Sequence, residues 1–117
     1  MRSRIHAFRC ALNGLIIAFD EEPHFKFHVV ATVLVVIAGV LLQVDTRSWL
    51  ILALAVGLVM STELLNTAIE NICDFLTTEQ HPAIKRIKDV AAGAVLVSSI
   101  TAVVIAVLVF GPLVMSF

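Results

Sequence analysis

Charged side chains are scarce: they are 15% of the 117 residues, while 60% are hydrophobic and the mean hydropathy is +1.03. Soluble domains carry roughly 45–50% apolar and about 25% charged residues, so an ordinary water-soluble globule is excluded and a small integral membrane protein is expected. Basic excess is missing too. A formal net charge of −1 leaves nothing to neutralise a phosphate backbone, which argues against nucleic acid as a partner. The two cysteines, Cys10 and Cys73, stand 63 positions apart with no CxxC or other metal-type spacing, and both read as buried small hydrophobes. The stretch "MRSRIHAFRCALNGLIIAF" lacks a continuous apolar core and a small-residue cleavage site, so it does not read as a removable signal peptide. There is no GxxxxGK(S/T) loop and no kinase glycine loop, which removes the two common soluble designs for phosphoryl transfer. Repeats, low-complexity tracts and linkers are absent, and a single domain over residues 1–117 is expected.

Long apolar runs are plentiful. Residues 29–42, "VVATVLVVIAGVLL", with Phe25, Phe27 and Val44 around them, approach the ~20 residues that cross a bilayer. "WLILALAVGLVM" at 49–60 is shorter, so a spanning helix there must continue into the polar stretch that follows. Residues 90–115 supply a third span, in which Ser98, Ser99 and Thr101 can bond back to helix carbonyls. The expected spans are 26–44, 48–75 and 84–112. Before them, Ile5, Phe8, Leu12, Leu15, Ile16 and Phe19 recur at helical spacing, which predicts an amphipathic surface helix over 3–21 that Pro23 ends.

Basic residues are distributed unevenly. Arg2, Arg4, Arg9 and Lys26 precede the first span, and Lys85, Arg86 and Lys88 lie between the second and third, whereas the first loop holds only Arg47. The positive-inside rule therefore predicts a cytoplasmic N-terminus and 75–88 loop, with the 43–48 turn outside and Trp49 as an interfacial anchor.

The second span carries the unusual feature. In "TELLNTAIENICD", Asn66, Glu70 and Asp74 follow Glu63 at offsets of 3, 7 and 11. On a helix these four fall within an arc of about 80°. A carboxylate at membrane depth costs a few kcal/mol, so such residues face a protein interior or a wet cavity and mark function. The plainer alternatives are solvation of Asp74 at the interface and helix–helix glue. Three helices can hardly enclose the stripe, which favours self-association. Nearby, "DEEPH" offers carboxylates and "AIKRIKDV" offers Lys85, Arg86, Lys88 and Asp89. Carboxylates beside lysines suit a magnesium polyphosphate, so a nucleotide is a candidate ligand. Signalling of topology and attraction to anionic lipid are the simpler roles for the lysines.

"ELLNTAIE" at 63–70 with Asp74, then "EQHPAIKRIKDVAAGAVL" at 79–96, resembles the bacterial integral-membrane lipid kinases, the family of prokaryotic diacylglycerol kinase and undecaprenol kinase. The motif E-(L/I)-x-N-(S/T)-A-I-E-x-x-x-D carries the resemblance, which runs from about Phe8 to about Val107. It implies an all-α homotrimer with active sites shared between subunits, and transfer of the ATP γ-phosphoryl group to a lipid hydroxyl with Mg²⁺. Glu63 would then be the general base and touch the lipid, Asn66 would orient the group, and Glu22 with Glu70 would hold the metal. Lys88 and Asp89 would meet the nucleotide's phosphates and fix it, with Glu79, Gln80 and His81 towards its outer part and Cys10 at the family's tyrosine-type position. Phe25, His28 and Ala92 would line the lipid site, although His28 by itself reads more simply as an interfacial histidine. "FKFH" and "HPAIKRIKDVAAGAVL" look closer to the undecaprenol kinase branch, which makes undecaprenol the expected acceptor and diacylglycerol the alternative. Where diacylglycerol kinases often have a nucleotide-reaching arginine, the aligned position is Ser3, between Arg2 and Arg4. The rival from another class is a non-catalytic membrane assembly or ion-binding module.

Overall fold

The computed structural model describes residues 2–117. Its regular structure consists of four helices: α1 (Arg2–Glu21), α2 (Pro23–Leu41), α3 (Thr46–Leu76) and α4 (Pro82–Met115). The last three are long and apolar enough to cross a membrane, which is the number of spans expected.

Each junction has a local cause. Between α1 and α2 only Glu22 is non-helical (φ −112°, ψ 108°), and Pro23 follows at the first helical position, where its missing N–H breaks no helical bond. The α2–α3 turn begins at Gln43, whose φ of 54° lies in the left-handed region that usually calls for glycine. That conformation lets the Val44 amide donate to the Gly39 carbonyl at 3.1 Å and close the end of α2. Asp45 then caps α3 by accepting from the Ser48 amide at 2.9 Å. Hydrogen bonding from the Ser48 side chain and backbone holds the exposed Asp45 carboxyl below its ordinary range. At α4, His81 Nδ1 accepts from the Ala83 amide at 3.1 Å and Pro82 is again the first helical residue.

Short turns make both helix pairs antiparallel hairpins. Gly39 makes room for the Trp49 ring between α2 and α3: a Cβ there would run into it. Trp49, the expected interfacial anchor, is half-buried against that helix backbone near the start of α3. The α3–α4 pair is the most extensive contact in the subunit. Ala55, Ala91 and Ser98 are buried, and such small side chains let membrane helices approach closely.

Helix length decides what stays inside the bilayer. The 31 residues of α3 extend about 46 Å at ~1.5 Å per residue, against a hydrocarbon core of about 30 Å. If Thr46 lies at one boundary, the other falls near Asn66, so Glu63 is inside the apolar slab and Glu70 and Asp74 emerge beyond it. At 34 residues α4 overshoots similarly. The 77–81 turn and both flanking helix ends therefore stand proud of the membrane on the polar side.

Candidate functional site: a polar end to the helix bundle

Glu63 is 5% exposed, the one buried carboxylate among the described residues. Its Oε1 lies 2.8 Å from His28 Nε2, so the deepest carboxylate of the α3 stripe meets an α2 imidazole across the helix pair. An unpaired carboxylate at that depth would cost several kcal/mol, and the imidazole N–H offsets part of it. One turn further, Asn66 Oδ1 is buried with no hydrogen-bond partner in the subunit. On the α4 side, the Thr62 and Ser98 hydroxyls meet at 2.7 Å. Ser98 Oγ also lies 3.0 Å from the Val95 carbonyl and Thr101 donates to the Val97 carbonyl at 2.8 Å, as expected of hydroxyls in an apolar helix.

The register of these pairs locates the rest. Gly39–Trp49 and His28–Glu63 fix α2 against α3. Six residues back from His28 is Glu22, and seven on from Glu63 is Glu70. The steps move about 9 and about 10.5 Å in the same direction, so the two half-buried glutamates lie at closely similar depth. Thr62–Ser98 and the Lys88–Asp74 ion pair, Nζ to Oδ1 2.6 Å, fix α3 against α4 and bring Ala92 level with Glu70. Glu70 also lies within electrostatic reach of the Lys88 ammonium.

Beyond these, Thr77, Thr78, Glu79, Gln80, His81, Pro82, Ile84, Lys85 and Lys88 line an open concavity of about 520 Å³. Four nucleotide-site candidates, Glu79, Gln80, His81 and Lys88, are thus brought together. Asp89 is not among these lining residues but pairs with one of them, Lys85, at 2.6 Å. Cys10 is exposed on α1, its Sγ 3.6 Å from His6 Nε2, so only Cys73 is the buried thiol that both were expected to be. Phe25 points into the subunit at 4% exposure and belongs to its packing.

Sequence reasoning missed the partners. Asp74 is exposed, as its reading as a solvated interfacial residue allowed, and Lys88 pairs with it there. Both lie next to the 77–81 turn, and antiparallel pairing about that turn would have matched them.

Among the described residues no three His, Cys, Asp or Glu side chains cluster into a preformed metal site within one subunit. The donor chemistry of Glu22 and Glu70 nevertheless suits a hard cation. Both are oxygen ligands, neither is taken by a hydrogen bond or ion pair among the described residues, and they lie at closely similar depth.

Three membrane-length helices with a carboxylate-rich end define a multi-pass membrane protein whose polar groups gather at one face. Residues 9–110 match the sequence profile of the prokaryotic diacylglycerol kinases. The chain is 40% identical over 111 residues to the undecaprenol kinase of Bacillus subtilis, covering 95% of this chain and 87% of that one. It is 38% identical over 92 residues to the diacylglycerol kinase of Escherichia coli K12, covering 79% and 75%. With the diacylglycerol kinase of Synechocystis it shares 39% over 100 residues, 85% of this chain but 57% of that longer one. The chain belongs to the prokaryotic diacylglycerol kinase family and is a membrane lipid kinase. A non-catalytic assembly or ion-binding module is thereby set aside.

Proposed function

We propose that the protein is an ATP- and magnesium-dependent kinase whose preferred acceptor is undecaprenol. The observation that carries this reading is the buried Glu63 carboxylate, placed just inside the apolar slab where the hydroxyl of a membrane-bound lipid would sit. A neutral alcohol is a weak nucleophile. As its oxygen forms a bond to the γ-phosphorus, Glu63 accepts the hydroxyl proton, the β–γ bridging P–O bond breaks, and ADP leaves with the electron pair. Asn66 presents a carboxamide on the same face, with an oxygen still able to accept a hydrogen bond from substrate or from a neighbouring subunit.

Glu22 and Glu70 are the residues that would hold magnesium, which when bound neutralises charge on the phosphate oxygens. Lys88, kept at the site by Asp74, faces the same phosphates, and Glu79, Gln80 and His81 contact the outer part of the nucleotide in the concavity they line. Since His81 Nδ1 is occupied as a helix cap, Nε2 carries its ring proton and is the atom available to a ligand. Asp89 acts at one remove by holding Lys85, and Cys10 borders the nucleotide from α1. Ala92 and His28 line the lipid path, with Phe25 supporting it from within.

A homotrimer with shared sites is part of this reading. Basic residues at the α1 start and around 85–88 support a cytoplasmic location for the polar end. Helix α1 then lies on that surface, where Ile5, Phe8, Leu12, Leu15, Ile16 and Phe19, all exposed in the subunit, enter the interface. The broad coverage of the Bacillus undecaprenol kinase supports undecaprenol; the diacylglycerol kinases at 38–39% identity support diacylglycerol as the second reading.

Vesicles containing the purified protein, ATP-Mg and one lipid at a time decide between the acceptors. Turnover of undecaprenol above diacylglycerol is expected; strong turnover of diacylglycerol with none of undecaprenol would reverse the assignment.

A further inference from the structure

We propose that His28 is the positioning residue of Glu63: its Nε2–H donates to Oε1 and aims the second carboxylate oxygen at the lipid hydroxyl. This rests on the reading of Glu63 as the general base. The ring nitrogen and the carboxylate oxygen stand 2.8 Å apart, an ion-pair contact close enough for Nε2–H to donate, and it spans two helices. It is also sheltered: the side chains are 18% and 6% exposed. Beneath the imidazole is a cavity of about 90 Å³ whose other walls include Ala31, Val35, Leu52, Ala55 and Val59. Apart from His28 and Thr32, whose hydroxyl is bonded to the His28 carbonyl, that lining is apolar and offers water few partners, so little competes with the contact from this side.

The ring itself is restrained. Phe27 stands edge-on to it at 5.5 Å between centroids, and the Thr32 hydroxyl, 2.8 Å from the His28 carbonyl, secures the turn of α2 that carries it. The carboxylate consequently has one oxygen engaged and one unassigned. A base held in one orientation reaches the hydroxyl without first losing rotamer freedom, and misplacement by about 1 Å can cost on the order of 100-fold. The group that accepts the proton is still Glu63; His28 keeps its own throughout.

Glutamine and asparagine separate positioning from packing. The Gln amide nitrogen reaches as far as imidazole Nε2, whereas the Asn amide nitrogen stops near Nδ1. Turnover and KM for ATP-Mg are measured in vesicles for His28→Leu, His28→Gln, His28→Asn, Glu63→Gln and the double variant His28→Leu/Glu63→Gln. We expect His28→Leu to lower kcat by about 10- to 100-fold with KM for ATP-Mg unchanged within about twofold. His28→Gln should recover most of that loss and His28→Asn little of it. Adding His28→Leu to Glu63→Gln should cost nothing further, because a residue acting through Glu63 has no effect once the carboxylate is gone. Near-normal kcat in His28→Leu beside an inactive Glu63→Gln overturns the positioning role and leaves the base intact. Full turnover in Glu63→Gln overturns the base itself. Should His28→Leu fail to assemble, the amides decide: equal activity of His28→Gln and His28→Asn contradicts the proposal.

Discussion

The two ends of the α2–α3 hairpin are built to opposite standards. At the Gly39–Trp49 corner the indole ring packs directly on the Gly39 backbone, Asp45 caps α3, and Gln43 adopts a left-handed conformation to close the turn. At the other end are a buried carboxylate, an amide oxygen with no partner and two glutamates with no partner among the described residues. The first end maximises packing, while the second keeps polar groups at or near membrane depth and gives up stability to do so. Substitutions should therefore separate into those that affect chemistry and those that affect folding, depending on the end in which they fall.

The largest effect is expected at the polar end. Glu63→Gln and Glu70→Gln should each reduce turnover by about 100- to 10,000-fold while leaving helix content and assembly close to wild type. Glu63→Gln should lower kcat far more than nucleotide affinity, as vesicle kinetics will show; equal losses in both would argue against a base. Next comes the corner. Gly39→Ala drives a Cβ into the Trp49 ring and should destabilise by about 1–3 kcal/mol in a reversible unfolding assay, with kcat per folded protein retained. If Gly39→Ala instead abolished turnover at full stability, the division between the two ends would break down. Removing the Thr62–Ser98 bond by Ser98→Ala should cost about 0.5–1.5 kcal/mol, the range for hydrogen bonds between membrane helices. The smallest change has the opposite sign: Gln43→Gly relieves the left-handed strain and should raise stability by up to about 1 kcal/mol.

Much of this architecture was readable from the chain. Apolar runs gave the number of membrane-length helices, because length and hydropathy are nearly sufficient for a helix in lipid. The polar stripe was readable for the same reason, since carboxylates in such a run need an explanation. Partnerships were not. His28–Glu63, Thr62–Ser98 and Lys88–Asp74 depend on the register between helices, which residue spacing within any single helix does not encode. The Trp49–Gly39 contact was hidden for a related reason: glycine in an apolar span is common, and only the fold shows that Gly39 makes room for that ring. Gln43 was missed because glutamine is an unusual residue for ending a helix in a left-handed turn.

The central claim is that Glu22 and Glu70, at closely similar depth, hold a divalent ion shared with the nucleotide. Manganese, which can replace magnesium and is visible by electron paramagnetic resonance, tests it in vesicles with a non-hydrolysable ATP analogue. Nucleotide-dependent manganese binding should be present in wild type and in Glu63→Gln and be lost in Glu22→Gln and Glu70→Gln. Retention of that binding in both Glu22→Gln and Glu70→Gln would contradict the account.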